Sequence, residues 1–338
     1  MLIEENFSLK PHNTFGLDVI ANLKASIEQS EDLEELFKSD RYRAVKKMVL
    51  GGGSNVLFTR NFLGMVLKME IEGVKVMEEG DDSILVSFGA GENWHQCVLW
   101  AVEKGYVGIE NLSLIPGTIG AAPMQNIGAY GVELKEVFHS LEAYEIKTGK
   151  MVRFFNEDCK FGYRYSVFKG AQRDKYIITK VNLRLSKKTN FNISYGAIKE
   201  TLESMGVEQL SLKSVSQAVI NIRQSKLPDP AQIGNAGSFF KNPVVENGYF
   251  DSLRAAFEEI PGYRLDEEFT KVPAAWLIDQ CGWKGKRFGN VGVHDKQPLV
   301  LVNHGGGKGK EIINLSKDIQ KSVQGTFGIQ LDTEVNVI

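Results

Sequence analysis

Two glycine-rich stretches in this sequence could bind a ligand through the backbone itself. Gly51-Gly52-Gly53-Ser54-Asn55 directly follows a predicted strand at residues 46–50, and Pro116-Gly117-Thr118-Ile119-Gly120-Ala121 opens a second such segment. Main-chain N–H groups that no side chain obstructs form a concave surface that suits a pyrophosphate. Two loops of this kind in one region favour a large dinucleotide. A solvent-exposed turn and the close packing of small residues stay open as alternatives.

Three polar residues could supply anion-binding or acid–base chemistry. Arg164 stands between two tyrosines, and its guanidinium can hold a carboxylate at two points without losing its charge. Ser238 and Glu334 carry a hydroxyl and a carboxyl group, and neither stands in a motif that by itself assigns it a role. The structural alternatives are a shielded surface arginine, a turn serine that bonds its own backbone and a solvated carboxylate on a strand.

Several sequence patterns of other chemistries are absent. Gly51-Gly52-Gly53 does not extend to Gly-x-Gly-x-x-Gly, because position 56 is Val, so the nicotinamide-type Rossmann pattern is missing. The glycines before Lys308 and Lys310 lack Walker spacing, and Gly-x-Ser-x-Gly does not occur. The 5 histidines form no His-Glu-x-x-His and no cluster with cysteine, so we expect no metal site.

Composition limits the possible partners and the compartment. The net charge of −2 gives no support for binding to nucleic acid or to an anionic membrane surface. The first residues contain no secretory signal, and no apolar run reaches the ~20 residues that a membrane helix requires. Cys97, Cys159 and Cys281 are odd in number and far apart, which predicts reduced thiols in a cytoplasmic protein.

Hydrophobic periodicity predicts an α+β fold, because strands and helices mix without regular βαβ alternation. The 338 residues suit two or three domains, and a second region begins near residue 213. A long irregular segment at residues 111–131 is typical of a binding loop. We predict helices at residues 31–38, 92–104, 213–227, 273–280 and 311–323. We predict strands at residues 46–50, 84–88, 176–185, 298–303 and 329–338, with a hairpin at 137–154. In the last strand, alternation places Glu334 on the polar face and Val337 on the apolar face.

Six blocks of sequence, the last of them Gly234–Pro243, together resemble the UDP-N-acetylenolpyruvoylglucosamine reductase family, from about His12 to the C-terminus. They are Gly51-Gly52-Gly53-Ser54-Asn55, Ile115-Pro116-Gly117-Thr118-Ile119-Gly120, Gln125-Asn126-Ile127-Gly128-Ala129-Tyr130-Gly131, Gly162-Tyr163-Arg164-Tyr165-Ser166-Val167-Phe168-Lys169, Lys226-Leu227-Pro228-Asp229-Pro230 and Gly234-Asn235-Ala236-Gly237-Ser238-Phe239-Phe240-Lys241-Asn242-Pro243. The segments around Tyr195 and Lys226 are similar to the longer form of the family, which has an extra tyrosine-bearing loop.

The resemblance implies a two-lobed FAD-binding domain of the vanillyl-alcohol-oxidase (PCMH) type and a separate α/β substrate-binding domain. We expect FAD-binding lobes at residues 1–69 and 70–212, the substrate domain at 213–330 and a catalytic C-terminal strand at 331–338. The implied cofactor residues are Gly51, Gly52, Gly53, Ser54, Asn55, Pro116, Gly117, Thr118, Gly120, Ala121, Asn126, Ile127, Gly128 and Arg223. Because Gly51–Asn55 contains no histidine to tether the flavin, we expect non-covalent FAD.

The resemblance also implies the reaction, in which NADPH reduces FAD and the sugar nucleotide then binds in the same place. UDP-N-acetylenolpyruvoylglucosamine becomes UDP-N-acetylmuramate, a peptidoglycan precursor. Ser238 is implied to protonate C2 of the enolpyruvyl group, Arg164 to bind its carboxylate and Glu334 to assist the protonation. The implied substrate contacts are Tyr195, Lys226, Asn242 and Gln297.

The chain departs from the family pattern at one position, and the sequence leaves two alternative functions open. Family members commonly have Arg two residues after the catalytic Glu, where this chain has Asn336. Either ligand affinity falls, or another basic residue such as Arg287 compensates. The alternative functions are an FAD-dependent oxidase of a small alcohol or sugar and a non-catalytic nucleotide-sugar binding protein. We expect a monomer that binds neither nucleic acid nor membrane.

Overall fold

A computed structural model describes all residues from 1 to 338. The chain forms two compact units, each assembled from separate stretches of sequence. The first unit contains Met1–Phe7, Ala21–Gly52 and Leu63–Ser225, and the second contains Ser8–Ile20, Gly53–Phe62 and Lys226–Ile338. The last boundary between the units falls between residues 225 and 226, near the domain start that the sequence placed at residue 213.

The secondary structure mixes helices with short, mostly antiparallel sheets, as expected for the α+β class. The strands are β1 (Ile3–Ser8), β2 (Ile20–Ile27), β3 (Lys47–Leu50), β4 (Val56–Leu57), β5 (Phe62–Met69), β6 (Val74–Glu79), β7 (Ser83–Gly89), β8 (Gly128–Ala129), β9 (Val132–Glu133), β10 (Phe138–Glu145), β11 (Lys150–Phe155), β12 (Tyr176–Ser186), β13 (Gly234–Ser238), β14 (Val244–Glu246), β15 (Tyr263–Arg264), β16 (Phe269–Lys271), β17 (Arg287–Phe288), β18 (Val291–Val293), β19 (Val300–Asn303) and β20 (Asn336–Val337). The α-helices are α1 (Ser30–Lys38), α2 (Asp40–Arg43), α3 (Trp94–Lys104), α4 (Asn156–Cys159), α5 (Gly196–Ser204), α6 (Leu212–Lys226), α7 (Asn247–Ala256), α8 (Ala274–Gln280) and α9 (Gly309–Phe327).

The first unit contains two large sheets with separate hydrophobic cores and the short two-stranded sheet β8-β9. A four-stranded sheet in the order β1-β2-β5-β3 packs with α1, whose Leu33 and Leu36 are fully buried. A five-stranded antiparallel sheet in the order β11-β10-β12-β7-β6 forms the larger core together with α3. Helix α3 begins after Asn93, whose side chain accepts a hydrogen bond from the N–H of Gln96, and it ends at Gly105 in the left-handed conformation.

The second unit is built around a sheet in the order β13-β19-β18-β17. Helix α9 packs on β18 and β19, because Ile312, Leu315, Ile319 and Val323 recur at helical spacing and are buried. A smaller antiparallel sheet has the order β14-β16-β15, and β20 pairs in parallel with β4. This last pairing attaches the C-terminus to the segment that follows the first glycine-rich loop.

Most predicted helices and strands are confirmed, but two expectations are wrong in part. The segment 111–131 is not structureless, since it contains 3₁₀ helices at Glu110–Leu112 and Ile119–Gln125. The predicted strand at 329–338 is a regular strand only at Asn336–Val337, because the chain changes partner. Thr333 bridges Phe240, and Asn336 then pairs with Val56. Val337 is 43% exposed, so the buried face ends at Val335.

No helix of the chain is both long enough and apolar enough to span a membrane.

Candidate active site

The two glycine-rich loops lie backbone against backbone where they meet in the first unit. A Cβ on Gly52 would lie 2.8 Å from the Cα of Gly117, and a Cβ on Gly51 would collide with the hydroxyl of Thr118. Close packing, which the sequence left open, therefore explains why these two residues are glycine. The Thr118 side chain lies against Gly51, whereas Gly52 and Gly117 meet through main-chain atoms alone.

The peptide groups of the first loop are oriented through their carbonyls. The Lys68 Nζ donates to the Gly51 carbonyl at 2.9 Å, and burial lowers the pKa of Lys68. The Thr14 N–H donates to the Gly53 carbonyl at 3.1 Å. In a trans peptide the N–H points away from the carbonyl, so the N–H groups of Gly52 and Ser54 point away from these donors.

The second loop is fixed by an antiparallel ladder to the segment before α3. The Trp94 N–H donates to the Gly117 carbonyl at 3.1 Å, and the Gly120 N–H donates to the Ala90 carbonyl at 2.9 Å. A Cβ on Gly120 would lie 2.6 Å from the Cβ of Ala90. Glycine is therefore required here for close approach of the two segments, while Pro116 and Ala121 are exposed.

These loops fit the pyrophosphate of FAD. Gly51–Asn55 and residues 116–121 contain hydroxyl, amide and main-chain N–H groups and no acidic side chain. The close contact between Gly52 and Gly117 leaves no room for a side chain at these two positions. Such a donor set favours an anionic group in contact with the backbone.

Arg164 lies at the tip of a tight hairpin that is bonded to the segment after the second loop. The Gly162 and Tyr165 main chains exchange hydrogen bonds of 3.1 and 3.2 Å, and Arg164 has a φ of 53°. Its Nη2 donates to the Gly128 carbonyl at 2.9 Å, and the guanidinium lies 5.5 Å from the Tyr163 ring centre. Arg164 is therefore held in position by its neighbours, unlike a solvated surface arginine.

Asn126 connects the Arg164 hairpin to Ile127 and Gly128, which follow the second glycine-rich loop. It is fully buried with a φ of 46°. Its Nδ2 donates to Glu133 Oε2 at 3.1 Å and to the Gly162 carbonyl at 3.2 Å, and its Oδ1 accepts from the Lys135 N–H at 2.9 Å. The side chain thus positions the Arg164 hairpin relative to Ile127 and Gly128.

Arg223, Tyr130 and Tyr195 form another cluster of polar side chains in the first unit. The Arg223 Nε donates to the Leu114 carbonyl at 3.2 Å, and its guanidinium is hydrogen-bonded to the Tyr130 hydroxyl. Burial lowers the pKa of Arg223 and raises the pKa of Tyr130. The Tyr130 and Tyr195 rings meet edge to face at 5.3 Å, and Tyr195 is 47% exposed.

The second unit brings Ser238 and Glu334 onto neighbouring extended segments. The Glu334 N–H donates to the Phe239 carbonyl at 2.8 Å, and the Lys241 N–H donates to the Asp332 carbonyl at 2.9 Å. Ser238 follows an irregularity in the pairing of β13 with β19. Such irregularities change the direction of side chains and are common next to active sites. The turn before it is closed by the Asn235 side chain, which accepts from the Gly237 N–H at 2.9 Å. The serine hydroxyl is therefore not the group that closes this turn.

The first glycine-rich loop is bonded to the same C-terminal segment through Asn55. The Asn55 carbonyl accepts from the Asn336 N–H at 3.1 Å and from the Asn336 Nδ2 at 3.0 Å, and the Asn55 Nδ2 donates to the Glu334 carbonyl at 3.4 Å. Asn336, where the resemblance implies an arginine, thus binds the backbone of Asn55 as a clamp. Arg287 is exposed and donates to the Gly289 carbonyl at 2.8 Å.

The remaining predicted substrate residues lie in the second unit. Lys226 is the exposed last residue of α6. The Asn242 Oδ1 accepts from the Ala274 N–H at 3.0 Å, so it also supports the start of α8. The Gln297 Oε1 accepts weakly from the Leu299 N–H at 3.4 Å. Arg164 and Tyr195 belong to the first unit, and that they share one substrate with these residues stays a prediction.

Two residues near the site, Asn111 and Tyr130, were not predicted as site residues from the sequence. The buried Asn111 Nδ2 donates to the carbonyls of Tyr130 and Asn192, at 3.0 and 2.8 Å. Tyr130 stands inside a quoted family block and could have been found from it. Asn111 has no local signal, because its partners are 19 and 81 residues away along the chain.

Two family profiles match the chain. One is described as FAD binding domain and matches residues 23–154. The other is described as UDP-N-acetylenolpyruvoylglucosamine reductase, C-terminal domain, and matches residues 229–338.

Several proteins named UDP-N-acetylenolpyruvoylglucosamine reductase are similar to the chain over its full length. That of Amoebophilus asiaticus is 50% identical over 100% of both chains, and that of Flavobacterium johnsoniae is 47% identical with the same coverage. That of Pseudomonas aeruginosa is 47% identical over 99% of this chain and 98% of its own.

Solved structures show the same fold. The reductase of that name from Thermus caldophilus has a TM-score of 0.70 at 23% identity, covering 100% of this chain and 99% of its own. A solvent-stable cholesterol oxidase has a TM-score of 0.51 at 12% identity, covering 99% of this chain and 86% of its own. Together with the FAD binding domain profile, these likenesses confirm the predicted α+β fold with an FAD-binding domain.

Proposed function

Because the chain belongs to the UDP-N-acetylenolpyruvoylglucosamine reductase family, we propose that it reduces UDP-N-acetylenolpyruvoylglucosamine to UDP-N-acetylmuramate. NADPH is the hydride donor and FAD is the carrier. The reaction provides a precursor of peptidoglycan. The full-length identity to reductases of this name carries the proposal, since it includes both the FAD-binding and the C-terminal regions.

When bound, FAD would supply the hydride-transfer chemistry between NADPH and C3 of the enolpyruvyl group. The loops Gly51–Asn55 and 116–121 would hold its pyrophosphate through main-chain N–H and hydroxyl groups. The segment Asn126–Gly128 would contact the cofactor chiefly through its backbone, because the Asn126 side chain already bonds Glu133, Gly162 and Lys135.

Arg164 stabilises the negative charge that hydride addition creates at C2 and in the adjacent carboxylate. A guanidinium holds a carboxylate through two parallel hydrogen bonds and stays charged at every physiological pH. Preorganised charge of this kind is commonly the largest contribution to catalysis. The Gly128 carbonyl and the Tyr163 ring support this role by restraining the guanidinium.

Ser238 donates the proton to C2. A hydroxyl is a weak acid, but the carbon that receives the proton is strongly basic, so the transfer is favourable once solvent is excluded. Support comes from the turn, which Asn235 closes in place of the serine. The hydroxyl is therefore not consumed by the local backbone.

Glu334 assists this protonation by orienting the donor or by relaying the proton. Its main chain is bonded to Phe239, the residue after Ser238, which supports a joint role for the two side chains. Asn336 and Asn55 restrain the same segment from the other side.

The substrate adds a diphosphate, which Lys226, Tyr195, Asn242 and Gln297 are proposed to contact. Arg223 is a further candidate for a cofactor or phosphate contact, since it is partly buried beside Tyr130 and donates to the Leu114 carbonyl, just before the second glycine-rich loop. We further propose that the protein is a monomer and acts in the cytoplasm.

An anaerobic absorbance titration tests the function. The yellow protein should bleach with NADPH and recover its colour when UDP-N-acetylenolpyruvoylglucosamine is added. UDP-N-acetylglucosamine, which lacks the enolpyruvyl group, is the matched control and should leave the protein bleached. Recovery of colour only with oxygen would contradict the reductase and favour the oxidase.

A further inference from the structure

Leu114 has a backbone conformation that its side chain disfavours. Its φ is 58°, in the left-handed region that a bulky residue rarely adopts. It immediately precedes the loop Ile115–Gly120, whose glycines meet Gly52 and Ala90. Such a conformation persists only when surrounding contacts over-determine it. The contacts that hold Leu114 therefore determine how this loop leaves the 3₁₀ helix Glu110–Leu112.

Both polar groups of Leu114 are held by side chains from two different helices. Its N–H donates to the Nδ1 of His95 on α3 at 2.9 Å, and its carbonyl accepts from the Nε of Arg223 on α6 at 3.2 Å. The preceding residue is anchored as well, because the Ser113 hydroxyl contacts the Ser216 hydroxyl at 2.8 Å. The loop entrance is thus clamped between α3 and α6.

The hydrogen bond from Leu114 defines the state of His95. A main-chain N–H can only donate, so Nδ1 carries no proton and the proton of the neutral ring is on Nε2. The charged group that faces His95 is Arg223, which is itself bonded to Tyr130 and lies within electrostatic range of Arg164. Burial and the charge of Arg223 both lower the pKa of His95.

We propose that His95 is a positioning residue of the enzyme, whose neutral imidazole fixes Leu114 and through it the FAD-contacting loop Ile115–Gly120 and Arg223. Protonation of the ring removes the acceptor for the Leu114 N–H and places a second positive charge beside Arg223. Because the folded state favours the neutral ring, its contribution is complete above the ordinary pKa of histidine. It is lost as the pH falls through the lowered value. The expected effect on FAD affinity rests on the proposed function, in which this loop contacts the cofactor, whereas the state of the His95 ring does not.

FAD binding without NADPH or sugar nucleotide tests the role of His95 independently of the reaction. His95→Ala removes the acceptor, and the dissociation constant of FAD, measured by flavin fluorescence, should rise about tenfold at pH 8. His95→Asn places an amide oxygen near the position of Nδ1 and does not titrate. It should bind FAD like wild type at pH 8 and should keep that affinity at about pH 5.5, where wild type weakens. His139→Asn, on β10, is the matched control and should follow wild type.

Histidine ¹⁵N NMR of the FAD-loaded wild type examines the ring directly and does not depend on a variant folding. The expected result is an Nε2-protonated neutral ring that titrates below the ordinary histidine value. The Nδ1-protonated tautomer, or unchanged FAD affinity in His95→Ala, would overturn the assignment. A loss of FAD affinity at low pH that persists in His95→Asn would also overturn it.

Discussion

The Glu334 N–H donates to the Phe239 carbonyl at 2.8 Å, which places Glu334 beside the main chain that leads out of Ser238. The bond joins residues that are far apart in sequence, and the bridge between Phe240 and Thr333 extends it. The proposed proton donor and the proposed assisting carboxyl group are thus connected by main-chain hydrogen bonds, so a change in either side chain should affect the same half-reaction.

Ser238→Ala should separate the two half-reactions. Removal of the hydroxyl leaves the FAD loops unchanged, so NADPH should still bleach the flavin at close to the wild-type rate. Reoxidation by the enolpyruvyl substrate should fall by at least about 100-fold, because general acid catalysis contributes on that order or more. Stopped-flow absorbance measures both steps. Ser252→Ala on the exposed face of α7 is the control, and normal turnover of Ser238→Ala would exclude the acid role.

Glu334→Gln keeps the shape of the side chain and removes its charge and its proton. Because the main-chain bond to Phe239 does not depend on the side chain, the fold should be retained. Single-turnover oxidation of reduced FAD by substrate should slow by about 100-fold. Glu267→Gln, at an exposed position, should match wild type. An unchanged single-turnover rate in Glu334→Gln would remove Glu334 from the mechanism.

Arg164→Lys preserves the positive charge but loses the planar group that bonds Gly128 and stacks on Tyr163. A lysine cannot hold a carboxylate at two points, so kcat should fall by about 100-fold, the size expected for one missing stabilising donor. Steady-state kinetics measure the effect. Arg173→Lys, at an exposed arginine that pairs with Asp174, is the control. A rate near wild type would show that charge alone suffices.

Gly52→Ala tests the contact between the two glycine-rich loops. The new methyl group would lie 2.8 Å from the Cα of Gly117, so a backbone segment must move. We expect the purified protein to lose most of its FAD, measured as the ratio of flavin to protein absorbance. Gly248→Ala adds a methyl group where no atom lies within 4 Å and should keep its flavin. Full FAD content in Gly52→Ala would indicate that the loops do not need this contact.

The cysteines should differ sharply in reactivity. Burial raises the pKa of Cys97 and of Cys159 to about 12, so their thiolate fraction at pH 8 is on the order of 10⁻⁴. Cys281 is only partly buried. A colorimetric thiol titration of the native protein should therefore detect Cys281 alone, and denaturant should expose the other two. Rapid reaction of Cys97 or Cys159 in the native protein would contradict their burial.

Sequence by itself determined the features that depend on local order. The two glycine-rich loops, the amphipathic helix at 311–323 and the blocks around Arg164 and Ser238 are contiguous, so spacing and residue type were sufficient to find them. Family resemblance then identified the cofactor and the reaction. It also marked Asn336 as a departure, although its contact with Asn55 could not be read from its residue type.

Tertiary structure alone decided the relationships between distant segments. Gly51 and Gly52 are glycine because Thr118 and Gly117 occupy the space of a side chain, and Asn336 is a clamp because Asn55 lies opposite. His95 has no motif, and its relevance arises only where α3 and α6 meet at Leu114. A sequence records the chemistry of each residue. Partners that are brought together by packing have no fixed spacing along the chain, so they are specified only once the chain has folded.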